Sequence, residues 1–330
     1  MRALILLITG SLLLMVSACS PDEESKGASN GLIKPKATGK IGELVVVMPD
    51  SWWNDTAGAA FRTYFGNEYP GLPQRETAFT LVHINPKEYN RLFKTHRNLI
   101  LVEEDSTGLA YEYDRFAKGQ LVMAIEAPSV EAFAALLRKE GQKASEEYRK
   151  AEINRLNKVH ALVRTTEAND ELAKMGLRIT VPNDFRLNKA EDGFIWFFRD
   201  KREITQGVVI YISDLLPDMG MEEGIIAARD SATLVVEGGV EGAYMAVEKL
   251  YAPSFEATEI QGRFAMKTRG LWKMENDFMG GSFVNLTIWD EANQRSVSVD
   301  GFVYAPGKDK RNYMMELEAM VQSLQFVNAK

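Results

Sequence analysis

Hydrophobic positions change their period along the chain, and the changes predict alternating strands and helices. Residues 41–48, 79–85 and 98–103 are short apolar runs rich in β-branched residues, which is the pattern of buried strands. Apolar residues at helical spacing lie between these runs and again on both sides of Gly141, where we predict two successive helices. Together these elements predict a first α+β lobe over residues 41–165.

Strands predominate in the second half of the chain. Residues 194–199 and 207–213 are rich in aromatic and β-branched residues, and further strands are predicted as far as residue 304. An amphipathic helix from about Asp309 then closes the chain. Consecutive strands with short turns favour antiparallel pairing. We therefore predict an α+β fold of two lobes, residues 41–165 and 166–330, with largely antiparallel sheets flanked by helices and a C-terminal helix.

The first eighteen residues follow a different pattern. After Met1 and Arg2, residues 3–16 are apolar or small and carry no charge. This run of about 14 residues is shorter than the roughly 20 that a membrane-spanning helix needs, and it fits the apolar region of a secretory signal. Cys19, the single cysteine of the chain, follows directly.

The residues Val16-Ser17-Ala18-Cys19 resemble a bacterial lipobox. The resemblance implies that residues 1–18 are removed as a lipoprotein signal peptide and that Cys19 is acylated. Two or more acyl chains anchor a protein stably, because each buried methylene contributes about 0.8 kcal/mol. The alternative is ordinary signal cleavage after Ala18, because Val16 and Ala18 also suit the simple signal peptidase.

Residues 19–40 are expected to be the acylated cysteine and a flexible tether, because their Ser, Gly, Pro and charged residues cannot bury much apolar area. The run Asp22-Glu23-Glu24 resembles the export signal of surface-exposed Bacteroidota lipoproteins, with a solvated charge run as the alternative. We therefore expect a protein that is lipid-anchored to the cell envelope, at the outer membrane. The sequence leaves the periplasmic and the surface face both open.

Charge and cysteine content narrow the class of partner. The formal net charge is -7, and removal of residues 1–18 takes away one further positive charge, that of Arg2. A strongly acidic chain argues against nucleic acid, because phosphate binding needs basic patches. A mature chain without cysteine also has no disulfides, so that its core alone must stabilise it.

Six stretches together resemble the uncharacterised Bacteroidota lipoprotein family known as domain-of-unknown-function family 4837. They are residues 39–41, 69–74, 94–98, 268–272, 277–281 and 301–306. The resemblance covers about residues 40–327 and implies no catalytic residue. The second lobe is also similar, at the level of fold alone, to photosystem-associated PsbP-type envelope domains.

No pattern of metal ligands or cofactor phosphates is present in the sequence. His83, His96 and His160 lie far apart on predicted apolar faces, without a spacing such as H-x-x-x-H, and we interpret them as packed side chains. Neither glycine-rich phosphate motif occurs. We therefore expect no metal and no cofactor.

The best candidate for a binding site is the segment 269–282, predicted as a loop between strands. Its Arg269, Trp272, Asp277 and Phe278 lie among glycines, and such side chains could stack on and hydrogen-bond a sugar or a peptide. The alternative is that the glycines form a tight turn and Trp272 fills the core.

Two hypotheses about function follow. The leading hypothesis is a non-enzymatic, membrane-anchored module that binds a glycan, a peptide or an envelope protein, or that assists envelope assembly. The alternative is a hydrolase acting on envelope or external polymers. Facing carboxylates or an acid with a raised pKa would favour the hydrolase, and an aromatic groove or an apolar patch would favour the binding module.

Overall fold

Two main β-sheets, each flanked by helices, form the structure. The computed structural model describes residues 34–217 and 219–327. The α+β class, with antiparallel strands and a C-terminal helix, is confirmed. None of the helices in the described ranges has the length and apolar character needed to cross a membrane.

The first lobe is built on a five-stranded sheet with the order β2-β1-β3-β5-β4. Its strands are β1 (Glu43–Val47), β2 (Thr80–Ile84), β3 (Asn98–Glu103), β4 (Gly108–Tyr113) and β5 (Leu121–Glu126). Strands β2, β1, β3 and β5 pair in parallel, and only β4 runs antiparallel to its neighbour. The inner parallel strands β1, β3 and β5 are nearly continuous apolar runs because both of their faces are covered.

Four helices belong to this lobe: α1 (Asp50–Trp53), α2 (Thr56–Phe65), α3 (Arg91–Lys94) and α4 (Val130–Leu162). Ser129 caps α4, since its hydroxyl accepts the Ala132 N–H at 3.2 Å. The two helices predicted around Gly141 are one continuous helix of 33 residues. A Cβ on Gly141 would lie 2.6 Å from the Tyr64 ring, so this glycine permits the close approach of α2 instead of ending a helix.

The second lobe is built on an eight-stranded antiparallel sheet. Its strands are β7 (Arg186–Glu191), β8 (Phe194–Lys201), β9 (Ile204–Asp214), β10 (Tyr244–Val247), β11 (Ser254–Ile260), β12 (Arg263–Glu275), β13 (Gly280–Asp290) and β14 (Arg295–Tyr304). The order is β10-β12-β13-β14-β9-β8-β7, and β11 pairs with β12 on the same side as β10. The short strands β6 (Leu177–Arg178) and β15 (Gln325–Phe326) pair separately.

Helices cover both faces of the large sheet. They are α5 (Asn169–Lys174), α6 (Met221–Thr233) and α7 (Arg311–Gln322). Alternate residues of β13 point to opposite faces, so that Leu286 packs in the cluster of α7 and Phe283 in the cluster beside α6.

The face of the sheet beside α6 contains an ion pair without solvent contact. Arg229 of α6 and Asp300 of β14 are both fully buried, with Nε and Oδ2 2.8 Å apart. The guanidinium also lies 3.9 Å above the ring of Phe283. Each charge compensates the other, which is the condition for burying either one.

The loop before β2 joins the first lobe to α7 of the second. The carboxylate of Glu76 accepts the backbone N–H of Lys310 at 2.7 Å and that of Arg311 at 2.9 Å. It thus satisfies free donors at the N-terminus of α7, where negative charge is favourable. Helix α4 also packs against α7.

Candidate functional site

The segment predicted as a loop, residues 269–282, lies mostly in strands. Strand β12 continues to Glu275 and β13 begins at Gly280, which leaves a short turn between them. The prediction of a loop was wrong because it took the glycines as turn residues, whereas Gly270 and Gly281 allow close packing within the strands. A Cβ on Gly270 would lie 2.8 Å from the Phe283 ring, and one on Gly281 would lie 2.0 Å from the Val303 carbonyl oxygen.

Trp272, the first aromatic residue of the predicted site, is a core residue. It is 2% exposed, its indole N–H donates to the Val303 carbonyl oxygen at 3.3 Å, and its ring meets Phe302 edge to face. This is the alternative that the sequence left open. Trp272 therefore presents no surface to a ligand.

Asp277 and Phe278 occupy the turn between β12 and β13. The Asp277 carboxylate accepts the Phe278 N–H at 2.7 Å and the Gly239 N–H at 2.8 Å, which ties the turn to the loop that follows α6. The Phe278 side chain is fully exposed. The turn is separate in the fold from Arg269, whose side chain is buried among charged residues.

Arg269 forms part of a charged cluster beneath a cleft of about 320 Å³ between the two lobes. Residues of α4, β11, β12 and α7 line this interlobe cleft, among them Arg149, Thr258, Lys267 and Glu318. Arg149 belongs to the first lobe and the other three to the second. The tertiary structure thus assembles a polar site in which Arg149 and Glu318 are 169 positions apart in sequence.

The floor of the interlobe cleft is a network of ion pairs. Arg269 contacts Glu318 at 2.6 Å and Glu256 at 3.1 Å, and Lys267 contacts Glu256 at 3.0 Å. Tyr69 donates its hydroxyl hydrogen to Glu318 at 3.0 Å. Both carboxylates are therefore held by cations.

The same contacts determine how these groups titrate. Burial favours a raised pKa for Glu318, but Arg269, Arg149 and Lys267 outweigh it and hold the pKa below its usual range. Burial is likewise outweighed at Glu256, whose pKa is lowered by Lys267 and Arg269. Burial lowers the pKa of Lys267, and the neighbouring Arg269 adds to this effect.

Arg149 differs from the other cations of the cleft. Its half-buried side chain lines the wall, and within the described ranges its guanidinium makes no hydrogen bond or ion pair to another residue. Its charge acts on the pKa of Glu318 and of Tyr69 without direct contact. A planar guanidinium in this position offers paired donors to a carboxylate or phosphate of a ligand.

The three histidines lie apart on different elements. His83 stacks on Trp53 with ring centroids 4.5 Å apart. His96 bonds through Nδ1 to the Asn98 carbonyl oxygen at 3.1 Å, and His160 is buried on α4. Among the residues that the structure describes, no three His, Cys, Asp or Glu side chains are placed to hold a metal ion.

Sequence reasoning missed most of the cleft. Glu318 did carry a signal, because it lies four residues after Met314 on the buried face of α7, and a charge there requires a partner. Arg149 and Tyr69 carried no comparable signal. Cys19, the predicted lipidation site, lies outside the described residues.

The solved structures that resemble this chain do so weakly. The Saccharomyces cerevisiae Ran-binding protein Mog1p is 12% identical, with 48% of this chain and 93% of that chain covered and a TM-score of 0.33. A point mutant of Mog1 gives 11% identity, 46% and 92% coverage and a TM-score of 0.30. The lipid transfer and protein localization domain of human StarD13 is 11% identical, with 49% of this chain and 98% of that chain covered and a TM-score of 0.23. These scores carry no argument about fold or function.

Family comparisons divide the chain near residue 163. No curated protein matches it. Residues 165–323 match DUF4837, which confirms the resemblance to family 4837 for the second lobe, whereas the first-lobe stretches that suggested it fall within a match of residues 37–161 to DUF8532. The chain thus contains a segment similar to DUF8532 followed by a segment similar to DUF4837, and both are domains of unknown function.

Proposed function

We propose that this protein is a lipid-anchored binding module of the cell envelope that takes its ligand in the interlobe cleft. The observation that carries the proposal is the guanidinium of Arg149, which lines the cleft without a partner among the described residues. The floor below it already pairs its charges. Arg149 can therefore pair with a ligand group without breaking the ion pairs of the floor.

The lowered pKa values of the cleft-floor carboxylates favour a binding function over hydrolysis. A hydrolase that uses two carboxylates keeps one of them protonated near neutral pH, which requires a raised pKa. Glu256 and Glu318 both contact Lys267 and Arg269, and these cations lower both pKa values. A lowered pKa does not suit either carboxylate to act as a general acid, which supports a binding role for this pair.

The charges of the cleft favour a ligand that carries both signs. Arg149 fits an acidic group, and Glu259 of β11 lines the same cleft without an ion pair among the described residues, so that it can receive a basic group. A peptide or a segment of an envelope protein has both kinds of group. A glycan would need acidic and amino substituents to match.

The anchor is the second part of the proposal. The lipobox resemblance around Cys19 and the polar residues 20–40 support an acylated protein of Bacteroidota type at the outer membrane. The composition of residues 20–40 is that expected of a tether, and about 20 residues of such composition would have a root-mean-square reach of roughly 25 Å. Protease treatment of intact cells tests whether the protein lies on the periplasmic or on the external face of the outer membrane.

Ligand binding to an Arg149→Ala variant tests the cleft. The mature chain would be titrated calorimetrically with a panel of peptides, acidic glycans and phosphate-bearing polymers. We expect binding of the matching ligand to weaken about tenfold in the variant, because a charge-assisted pair is lost. Arg138→Ala is the matched control, since this arginine is exposed on the same helix and should leave affinity unchanged.

Two results would contradict the proposal. Equal affinity of the Arg149→Ala variant and the parent protein would place the ligand elsewhere. Release of cleavage products from any member of the panel would support the hydrolase instead. Chromatography of the panel after incubation detects such products.

A further inference from the structure

Strand β11 forms a free edge of the large sheet. It pairs with β12 from Ser254↔Arg269 to Ile260↔Arg263, and no strand among the described residues pairs with its other side. Its side chains are exposed or half-exposed along the whole strand. An edge of this kind presents unpaired N–H and C=O groups to solvent.

The turn after β11 determines which backbone groups face outward. Gln261 and Gly262 have φ values of 51° and 78°, which is the sign pattern of a two-residue type I′ hairpin. Such a turn makes Ile260 and Arg263 a hydrogen-bonded pair, and hydrogen-bonded pairs then alternate along the ladder. The N–H and C=O groups of residues 255, 257 and 259 therefore point away from β12.

A pocket lies on each side of this edge. On one face, Glu256 and Thr258 line the interlobe cleft. On the other, Phe255 lines a groove of about 580 Å³ beside α6, together with Ile226 and Val247. Because side chains of a strand alternate between faces, a strand added to β11 would send successive side chains into the cleft and into this α6 groove.

The charges around the edge favour a basic partner strand. Glu259 lies on β11, and Glu222, Glu223 and Asp230 outnumber Lys249 among the residues that line the α6 groove. The strand itself carries no basic residue, so that a second copy of β11 would bring acidic side chains to the seam and no basic side chain to compensate them. The same acidic charges attract lysine or arginine side chains.

We infer that β11 binds an extended peptide segment of another protein by strand addition. The segment has basic residues, an acidic residue that reaches Arg149 in the interlobe cleft, and an apolar residue that enters the α6 groove. Backbone hydrogen bonds to residues 255, 257 and 259 give affinity, and the two pockets select side chains. This inference rests on the proposed function as a binding module and names the class of its ligand.

A displayed library of short random peptides, selected on the mature chain, provides the probe. Selected peptides would be synthesised and titrated against Ala257→Pro, which removes an outward N–H and places the proline ring on the free edge. Proline is tolerated at such edge positions because no ladder bond to β12 is lost. Asn188→Pro, at the bulge of the opposite edge strand β7, is the matched control.

We expect the selected peptides to be basic. They should bind the Ala257→Pro variant about tenfold more weakly than the parent protein, as the loss of one to two hydrogen bonds implies, and the Asn188→Pro variant as tightly as the parent protein. Only every second amide of an added strand faces β11. N-methylation of the peptide at those amides should abolish binding, and N-methylation at the intervening amides should not. Circular dichroism of both variants confirms that the sheet is intact.

The outcomes separate this inference from the proposed function. Binding that is lost in the Arg149→Ala variant but unchanged in the Ala257→Pro variant would overturn strand addition and leave cleft binding standing. Insensitivity to both substitutions would overturn both. A selection that yields no peptide, or only acidic peptides, would overturn the inference, as would a dimer that dissociates in the Ala257→Pro variant.

Discussion

Tyr69 of the first lobe donates its hydroxyl hydrogen to Glu318 of the second at 3.0 Å, and both side chains are buried. Burial raises the pKa of Tyr69, and the neighbouring carboxylate raises it further, so that the phenol stays protonated and can donate. Glu318 in turn balances Arg269 and Lys267. One hydrogen bond thus connects the loop before β2 to the floor of the interlobe cleft.

Removal of this hydroxyl should destabilise the protein. We expect Tyr69→Phe to lower the free energy of unfolding by about 1–3 kcal/mol, because a buried carboxylate oxygen loses its donor. Urea denaturation followed by fluorescence measures the change. Tyr64→Phe is the control, because the Tyr64 hydroxyl makes no hydrogen bond within the described ranges, and it should change stability by less than about 0.5 kcal/mol. Equal effects of the two substitutions would show that the interlobe bond contributes nothing.

Two helical glycines should respond oppositely to alanine. In Gly141→Ala the new Cβ would lie 2.6 Å from Cγ of Tyr64, so helices α2 and α4 must separate, and we expect a loss of about 1–3 kcal/mol. In Gly224→Ala the nearest atom is Leu216 Cδ2 at 3.5 Å, an ordinary contact, and we expect a gain of about 0.5–1 kcal/mol from helix propensity. Thermal unfolding measures the stability of both variants against the parent protein. A Gly141→Ala variant more stable than the parent protein would refute the close packing of Gly141 against Tyr64.

His160 should make stability depend on pH. Burial lowers the pKa of His160 below its usual 6.5, and Arg199 lowers it further against the opposing pull of Glu316 and Asp184. The folded state thus favours the neutral ring, and the stabilisation is complete above pH 6.5. It is lost as pH falls from about 6.5, where the unfolded chain takes up the proton.

Urea denaturation between pH 7 and pH 5 tests this dependence. We expect the parent protein to lose stability by up to about 1.4 kcal/mol per pH unit, the limit for one proton, and His160→Gln to remove that slope. The carboxylates with lowered pKa values act in a lower window, because their stabilisation is lost only as pH falls below their ordinary value of about 4.5. A slope that persists in the His160→Gln variant would assign the effect to another group.

Cys19→Ser should release the protein from the membrane. Without the thiol there is no site for the first acyl chains, and anchoring requires more than one chain. Fractionation of cells followed by immunoblotting should find the variant in the soluble fraction. Ser20→Ala, one residue further, should remain with the membranes, and retention of the Cys19→Ser variant there would refute the lipid anchor.

Glycine was the residue type that sequence reasoning interpreted least well. Gly141, Gly270 and Gly281 all suggested turns or helix ends, and all three lie inside regular elements where a Cβ would meet another residue. A glycine between apolar residues has two meanings, a special backbone angle or a close neighbour. The two cases can be told apart only when the neighbouring residue is known, and that residue is distant in sequence.

Buried charge was the second feature that escaped prediction. An arginine is not expected on the buried face of an amphipathic helix, yet Arg229 of α6 is fully buried, as are Ile225 and Thr233 of the same helix. Its position becomes intelligible once Asp300 and Phe283 are seen beside it. Because burial of an ion depends on compensation, the pattern of one helix does not reveal it.

By itself the sequence determined the α+β class, most strands and helices, the antiparallel character of the second sheet and the final helix. These follow from local periodicity, which backbone geometry imposes residue by residue. Only the tertiary structure decided the parallel pairing of the first sheet, the separation of Arg269 from Phe278 and the meeting of Arg149 with Glu318. Those relationships depend on which distant side chains share a buried space, and hydrophobic patterning contains no information about such partners.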